Sequence, residues 1–195
     1  MATCRKIVTG GLQLLGAYAG GEDPSDDDVQ TGMSALQSMF LAWVNSGMFG
    51  RLRDIYVTAD YTAKEGERVT AATGVTVTVP TIINNESSWP YGFCGSVPQR
   101  TPRDLALIEV SQDGAATDYL YDRNGWVTIN NLGLDDECPL SERGERGLMG
   151  CVAFELAGDF NMAVQPNVAR LSSQFRTMLS LKYGSTQDPT PVEYL

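Results

Sequence analysis

The sequence predicts an α+β fold in which a helical bundle of about four helices carries an inserted, antiparallel β-rich domain and an extended C-terminal tail. Three observations predict this class: helical spacing of apolar residues near both ends of the chain, period-two alternation in its middle, and two prolines close to its end. We assign residues 1–50 and 137–183 to the bundle, 51–136 to the insertion and 184–195 to the tail.

The clearest helix begins at Ser25 and ends at Gly47. Its large apolar residues follow at steps of four, three, four and three, which places them on one helical face: Val29, Met33, Leu36, Phe40 and Trp43. Ser25 is placed to act as the N-cap, and the three aspartates after it put negative charge at the positive end of the helix dipole. Because Trp43 closes the stripe, we expect it to be a buried anchor of the bundle.

Three more helices complete the predicted bundle. Apolar spacing indicates one helix over residues 3–19 and another over 141–157. The last helix begins with Pro166 in its first turn, where the missing N–H has no cost. Its apolar stripe consists of Val168, Leu171, Phe175, Met178 and Leu179.

In the middle of the chain, apolar and polar residues alternate as is typical of β-strands. Val75, Val77 and Val79 alternate with threonines, so one face of that strand is apolar. Residues 118–121 and 126–129 flank a turn ending in Asn124-Gly125, which indicates a hairpin.

An irregular stretch over residues 84–103 contains three alternating aromatic residues, Trp89, Tyr91 and Phe93. Loops of this length inside compact domains are often functional, so these residues form a candidate contact surface. Stacking on a sugar or on bases, packing on the core, and a protein interface all remain open for them.

Composition excludes several kinds of chemistry. The chain has no histidine, and its four cysteines form no C-x-x-C pair, so the usual zinc-ligand sets are missing and four free thiols are expected. We interpret the acidic run Asp135-Asp136-Glu137, beside Glu142, as helix-capping charge rather than as a metal or glycoside-cleaving site. The sequence therefore predicts no catalytic residue, no metal and no cofactor.

Charge and hydropathy also limit the partners. A net charge of −10 argues that the protein does not bind DNA by neutralising its phosphates. The start of the chain is too polar for a signal-peptide core, and no run of 18 apolar residues exists, so we expect no membrane partner.

The predicted tail combines helix-breaking and apolar residues. Pro189 and Pro191 prevent a helix, and Pro191, Val192, Tyr194 and Leu195 are the candidate partner-binding residues. Such a segment is expected to order on a partner.

Two stretches together resemble head-to-tail adaptor proteins of tailed bacteriophages, which dock beneath the portal and stabilise packaged DNA. The first has Leu12-x-Leu14-Leu15-Gly16, the acidic segment 22–28, Gly32, Leu36, Met39, Trp43 and Gly47-Met48; the second has Pro139-Leu140, Leu148, Phe154-Glu155-Leu156-Ala157 and the closing helix. The resemblance covers residues 3–50 and 139–183, and the β-rich segment departs from the smallest, all-helical members.

The resemblance implies a non-enzymatic virion protein at the head-to-tail interface, assembled in the host cytoplasm. It implies a homo-oligomeric ring, usually a dodecamer, whose C-terminal segments reach the portal protein or a neighbouring subunit. Further partners are the next tail component (nozzle, stopper or tail tube) and double-stranded DNA, which passes through the channel without specific binding. Two other functions stay open: a tail-associated peptidoglycan-cleaving enzyme and a carbohydrate-binding module.

Overall fold

A computed structural model describes residues 2–18, 22–81, 83–84, 99–100, 102–123 and 125–184, and it confirms the α+β class. Within these ranges the helices are α1 Cys4–Leu15, α2 Asp26–Asn45, α3 Ser141–Leu156 and α4 Pro166–Gly184. The strands are β1 Arg53–Val57, β2 Tyr61–Thr62, β3 Glu67–Ala71, β4 Val77–Thr78, β5 Ile83–Asn84, β6 Gln99–Arg100, β7 Leu107–Gln112, β8 Ala115–Asp122 and β9 Gly125–Thr128.

The chain divides into two compact units. The helical unit comprises Met1–Phe49 and Asn131–Leu195, and the sheet unit comprises Gly50–Asn130. Residues 131–136, which were predicted to belong to the insertion, lie in the helical unit. The reason is hydrogen bonding to the start of α1: Cys4 N–H donates to the Asp136 carbonyl (2.9 Å) and Arg5 N–H to the Leu134 carbonyl (2.8 Å).

In the helical unit, α3 is the central helix. Both α1 and α4 pack extensively against it, and α2 packs against α1 and α3. Glycines allow the close approach of α3 and α4: a Cβ built on Gly147 would lie 2.8 Å from Cδ2 of Phe175, and one on Gly150 would lie 2.9 Å from Cβ of Leu171. A larger residue at either position would force the two helices apart.

Trp43 is buried, as predicted, with 2% of its surface exposed. Its ring meets Phe40 one turn earlier at a centroid distance of 5.6 Å, Phe49 at 6.5 Å and Phe175 of α4 at 6.4 Å. This aromatic cluster therefore joins α2 to α4.

The start of α3 differs from the prediction. Its N-cap is Leu140, which has a left-handed backbone (φ 64°) and no side-chain cap, so residues 135–137 do not cap this helix. Glu142 does lie in the first turn, where its negative charge is favourable. Asp136 instead accepts a hydrogen bond from Gly133 N–H (2.6 Å) in a turn, and Asp135 pairs with Arg5 at 3.5 Å.

The sheet unit is built on a mixed sheet, whereas antiparallel pairing was predicted throughout. The strand order is β1-β3-β7-β8-β9; the first three strands are parallel and the last three antiparallel. The turn at Lys64–Gly66 does not close a hairpin, because the chain passes from β1 through β2 in a separate two-stranded sheet before it returns as β3. Gly66, in the turn that leads into β3, has a φ of 76°, which is a left-handed conformation that favours glycine. The predicted hairpin is present as β8 and β9, with Tyr121 opposite Trp126.

The sheet unit has an apolar core of its own. Its buried members are Val57, Ala63, Val69, Val75, Ile108 and Val110. Val77 and Val79 pack against this core while half-buried, so the alternating valines share the predicted face. No helix among the described residues is long and apolar enough to cross a membrane.

Candidate interaction surface

The site residues predicted from sequence lie outside the described ranges. This holds for the aromatic residues Trp89, Tyr91 and Phe93 and for the tail residues Pro191, Val192, Tyr194 and Leu195. Both sets therefore stay predictions.

The exposed face of α4 is polar and basic. Its buried stripe contains Val168, Ser172, Phe175 and Leu179. The opposite face exposes Arg170, Ser173, Gln174, Arg176, Thr177 and Ser180. Residues 160–184 contain three basic residues and no acidic one. Within the described part of the chain, neither Arg170 nor Arg176 has an ion-pair partner, so both charges are available to an acidic surface.

A groove of about 550 Å³ adjoins this face. It is lined by Met48, Phe154, Ala169, Ser172, Ser173, Arg176, Thr177 and Ser180. Phe154 is 41% exposed and Met48 is half-buried, so an apolar patch lies beside hydroxyl donors and a guanidinium. Such a mixture suits an interface that combines an apolar anchor with a polar rim. We call the groove and the exposed face of α4 together the basic surface.

The start of α2 has the opposite charge. Residues 7–50 contain five acidic residues and no lysine or arginine. Asp28 is used locally: its N–H donates to the Ser25 hydroxyl (3.2 Å), and its carboxylate accepts hydrogen bonds from Ser25 and Tyr18, which lower its pKa. Asp26 and Asp27 are exposed, and no ion pair holds either of them in the ranges that the structure covers. We call Asp23, Asp26 and Asp27 the acidic surface.

A row of charged residues crosses the five-stranded sheet. The register places Asp54, Arg68, Glu109 and Asp118 opposite one another on four successive strands. Arg68 Nε donates to Glu109 Oε2 at 2.7 Å, whereas Asp118 is 4% exposed and its Oδ1 has no hydrogen-bond partner among the residues described. Burial, reinforced by the charge of Glu109 and opposed by that of Arg68, raises the pKa of Asp118 to about 6.

These groups do not assemble a metal site in the part of the chain that the structure covers, where no cluster of three or more ligating side chains occurs. Sequence reasoning missed the basic surface, although its signal was present: a 25-residue stretch with three basic residues and no acidic residue in a chain of net charge −10.

No protein-family model matches the chain, and no curated protein sequence matches it.

Proposed function

We propose that this chain is a structural head-to-tail adaptor of a tailed bacteriophage. In this function it forms a ring beneath the portal, extends the DNA channel, retains packaged DNA and joins the head to the tail. The resemblance of its two helical segments to such adaptors supports the proposal. The protein has no catalytic function in this assignment and belongs to the virion after assembly in the host cytoplasm.

The observation that carries the proposal is the separation of charge within the helical unit. Acidic residues without bases occupy the start of α2, and basic residues without acids occupy α4, while α3 is the helix against which both pack. Two different patches of opposite charge favour head-to-tail contact between identical chains, and a contact of this kind produces a ring when the rotation closes. A dodecamer is the ring size that the resemblance implies.

The overall charge suits a channel through which DNA moves. A chain of net charge −10 repels phosphates on average, so a ring of such chains lets duplex DNA slide without specific binding. Its remaining partners in this proposal are the portal protein above and the next tail component below.

Charge reversal tests the ring contact. We expect R170E/R176E to weaken assembly on portal rings at least about tenfold, because each reversed charge then faces an acidic surface. D26K/D27K is expected to do the same, and the protein carrying all four changes is expected to assemble again. The measurement is the mass of complexes formed with the portal protein of the same phage, by native mass spectrometry.

The control for this experiment is R51E, which shifts the net charge in the same direction at an exposed position outside the basic surface. Its assembly should equal that of the parent. Equal assembly by R170E/R176E and parent would show that the basic surface is not the ring contact. Failure of the parent to bind portal rings at all would contradict the adaptor function itself.

Truncation tests the proposed role of the tail. Removing the residues after Tyr183 is expected to leave the melting temperature within about 2 °C of the parent, because the buried residues of α4 for which the structure describes side chains, from Val168 to Leu179, all precede the cut. Binding to portal rings should weaken, since Val192, Tyr194 and Leu195 are lost. Co-sedimentation with portal rings measures this, and V192S/Y194S/L195S is the control that keeps the length. Undiminished binding by both variants would assign the tail no part in assembly.

A further inference from the structure

Two thiols that are far apart in the sequence lie side by side in the helical unit. Cys4 is the first residue of α1, and Cys138 lies in the segment that leads into α3. Both are fully buried, and both are free thiols. The function proposed above uses neither of them.

The backbone holds these two segments together. Thr3 and Glu137 form an isolated antiparallel bridge, flanked by hydrogen bonds from Cys4 N–H to the Asp136 carbonyl (2.9 Å) and from Cys138 N–H to the Ala2 carbonyl (2.8 Å). Neighbouring residues along paired segments point to opposite sides, so Cys4 and Cys138 share the side that Thr3 and Glu137 do not occupy. There the two thiols lie close enough for each to shift the pKa of the other.

The two sulfurs are not equivalent. The contact with Cys138 lowers the pKa of Cys4, while the same contact and burial raise the pKa of Cys138. Cys4 is therefore the better nucleophile of the pair. The third described thiol, Cys151, lacks a cysteine neighbour among the described residues: it donates to the Ser172 carbonyl at 3.7 Å, and burial raises its pKa to about 11.

We propose that Cys4 and Cys138 form an intramolecular disulfide when the protein meets a low-molecular-weight disulfide. The Cys4 thiolate attacks one sulfur of the reagent, forms a mixed disulfide and releases one thiolate. The Cys138 thiolate then attacks the Cys4 sulfur and releases the second thiolate. The two cysteines are oxidised by two electrons, the reagent is reduced to two thiols, and the two cysteine protons end on those thiols or in solvent.

Access to the buried sulfurs requires local opening. The contacts that must break are the two backbone hydrogen bonds that flank the bridge and the hydrogen bond from Ala2 N–H to the Ser141 hydroxyl (3.2 Å). Local openings of this size occur without global unfolding. We therefore expect a slow reaction in the native protein.

The disulfide is expected to stabilise the fold. It links residues 4 and 138, and the whole sheet unit lies between these two positions in the sequence. The disulfide therefore restricts a very long loop of the unfolded chain. The oxidised protein should have a melting temperature roughly 5–10 °C above that of the reduced protein.

The experiment exposes the native full chain to oxidised glutathione at pH 8, blocks the remaining thiols and digests it with trypsin without reduction. Cleavage after Arg5, Arg123 and Arg143 leaves Cys4 in peptide 1–5 and Cys138 in peptide 124–143. We expect these two peptides to be joined, with two hydrogens lost from the intact mass.

Single substitutions separate the roles of the thiols. C138S should stop at a mixed disulfide of Cys4 with glutathione, and C151S should oxidise like the parent. A native protein that forms no 1–5 to 124–143 link, while the urea-unfolded protein reacts, would overturn the proposal. Links through peptide 147–170, which contains Cys151, in place of the expected link would overturn it as well.

Discussion

Replacing Trp43 with alanine is expected to lower the free energy of unfolding by about 3–5 kcal/mol, as large-to-small changes in a packed core do. The indole is 2% exposed and touches rings from Phe40, Phe49 and Phe175. Its removal leaves a cavity where α2 meets α4, and two helices cannot collapse into it without disturbing their packing against α3. Urea unfolding followed by far-UV circular dichroism measures the loss.

Leu41 provides a matched control two residues earlier on the same helix. It is 42% exposed, so L41A should change the free energy of unfolding by no more than about 0.5 kcal/mol. A melting temperature of W43A within a degree or two of the parent would show that the aromatic cluster does not hold the bundle together.

Replacing Asp118 with asparagine is expected to stabilise the protein at pH 8. The pKa of this carboxyl is raised from 3.8 to about 6, so the folded state binds the proton more tightly than the unfolded state. When folding raises the pKa of a carboxyl, that carboxyl contributes most to the stability of the fold below pH 4. Its contribution falls as the pH rises from about 4 to 6 and stays low above pH 6. A shift of this size corresponds to about 3 kcal/mol, which is the upper bound for the gain in D118N above pH 7.

The measurement is the difference in free energy of unfolding between D118N and the parent at several pH values. This difference should rise between pH 4 and 6 and then level off. D54N is the control, because Asp54 belongs to the same charged row but its side chain is 80% exposed, and its difference should stay small throughout. A difference for D118N that does not change with pH would mean that the buried carboxyl does not titrate in this range.

Asp118 differs in its hydrogen bonding from Glu67, another buried carboxyl of the sheet unit. Glu67 is 2% exposed, and its carboxylate accepts hydrogen bonds from Arg53 Nη2 (2.7 Å), the Tyr61 hydroxyl (3.0 Å) and Lys64 N–H (2.9 Å). Asp118 Oδ1 has no such donor within the described residues. A buried charge with donors is compensated, whereas one without them favours the protonated form.

The sequence by itself determined the features that depend on neighbours along the chain. The stripe that ends at Trp43, the Ser25 cap, the helix start at Pro166 and the hairpin turn near Gly125 all follow from local spacing, and the structure has each of them. Periodicity identifies a buried face because one helix or strand fixes which side chains share it. The sequence also contained the signal of the basic surface, because a stretch without acidic residues is visible in the order of the residues alone.

Only the tertiary structure decided the features that join distant parts of the chain. The parallel pairing of β1 with β3 depends on a crossover through β2, and the turn residues at Lys64–Gly66 are equally compatible with a hairpin. The charged groups that act on Asp118, Glu109 and Arg68, come from two other strands. Cys4 meets Cys138 only because the bridge at Thr3 joins the two segments that flank the sheet unit in sequence. Such contacts depend on which packed arrangement has the lowest free energy for the whole chain, and residue spacing does not specify that choice.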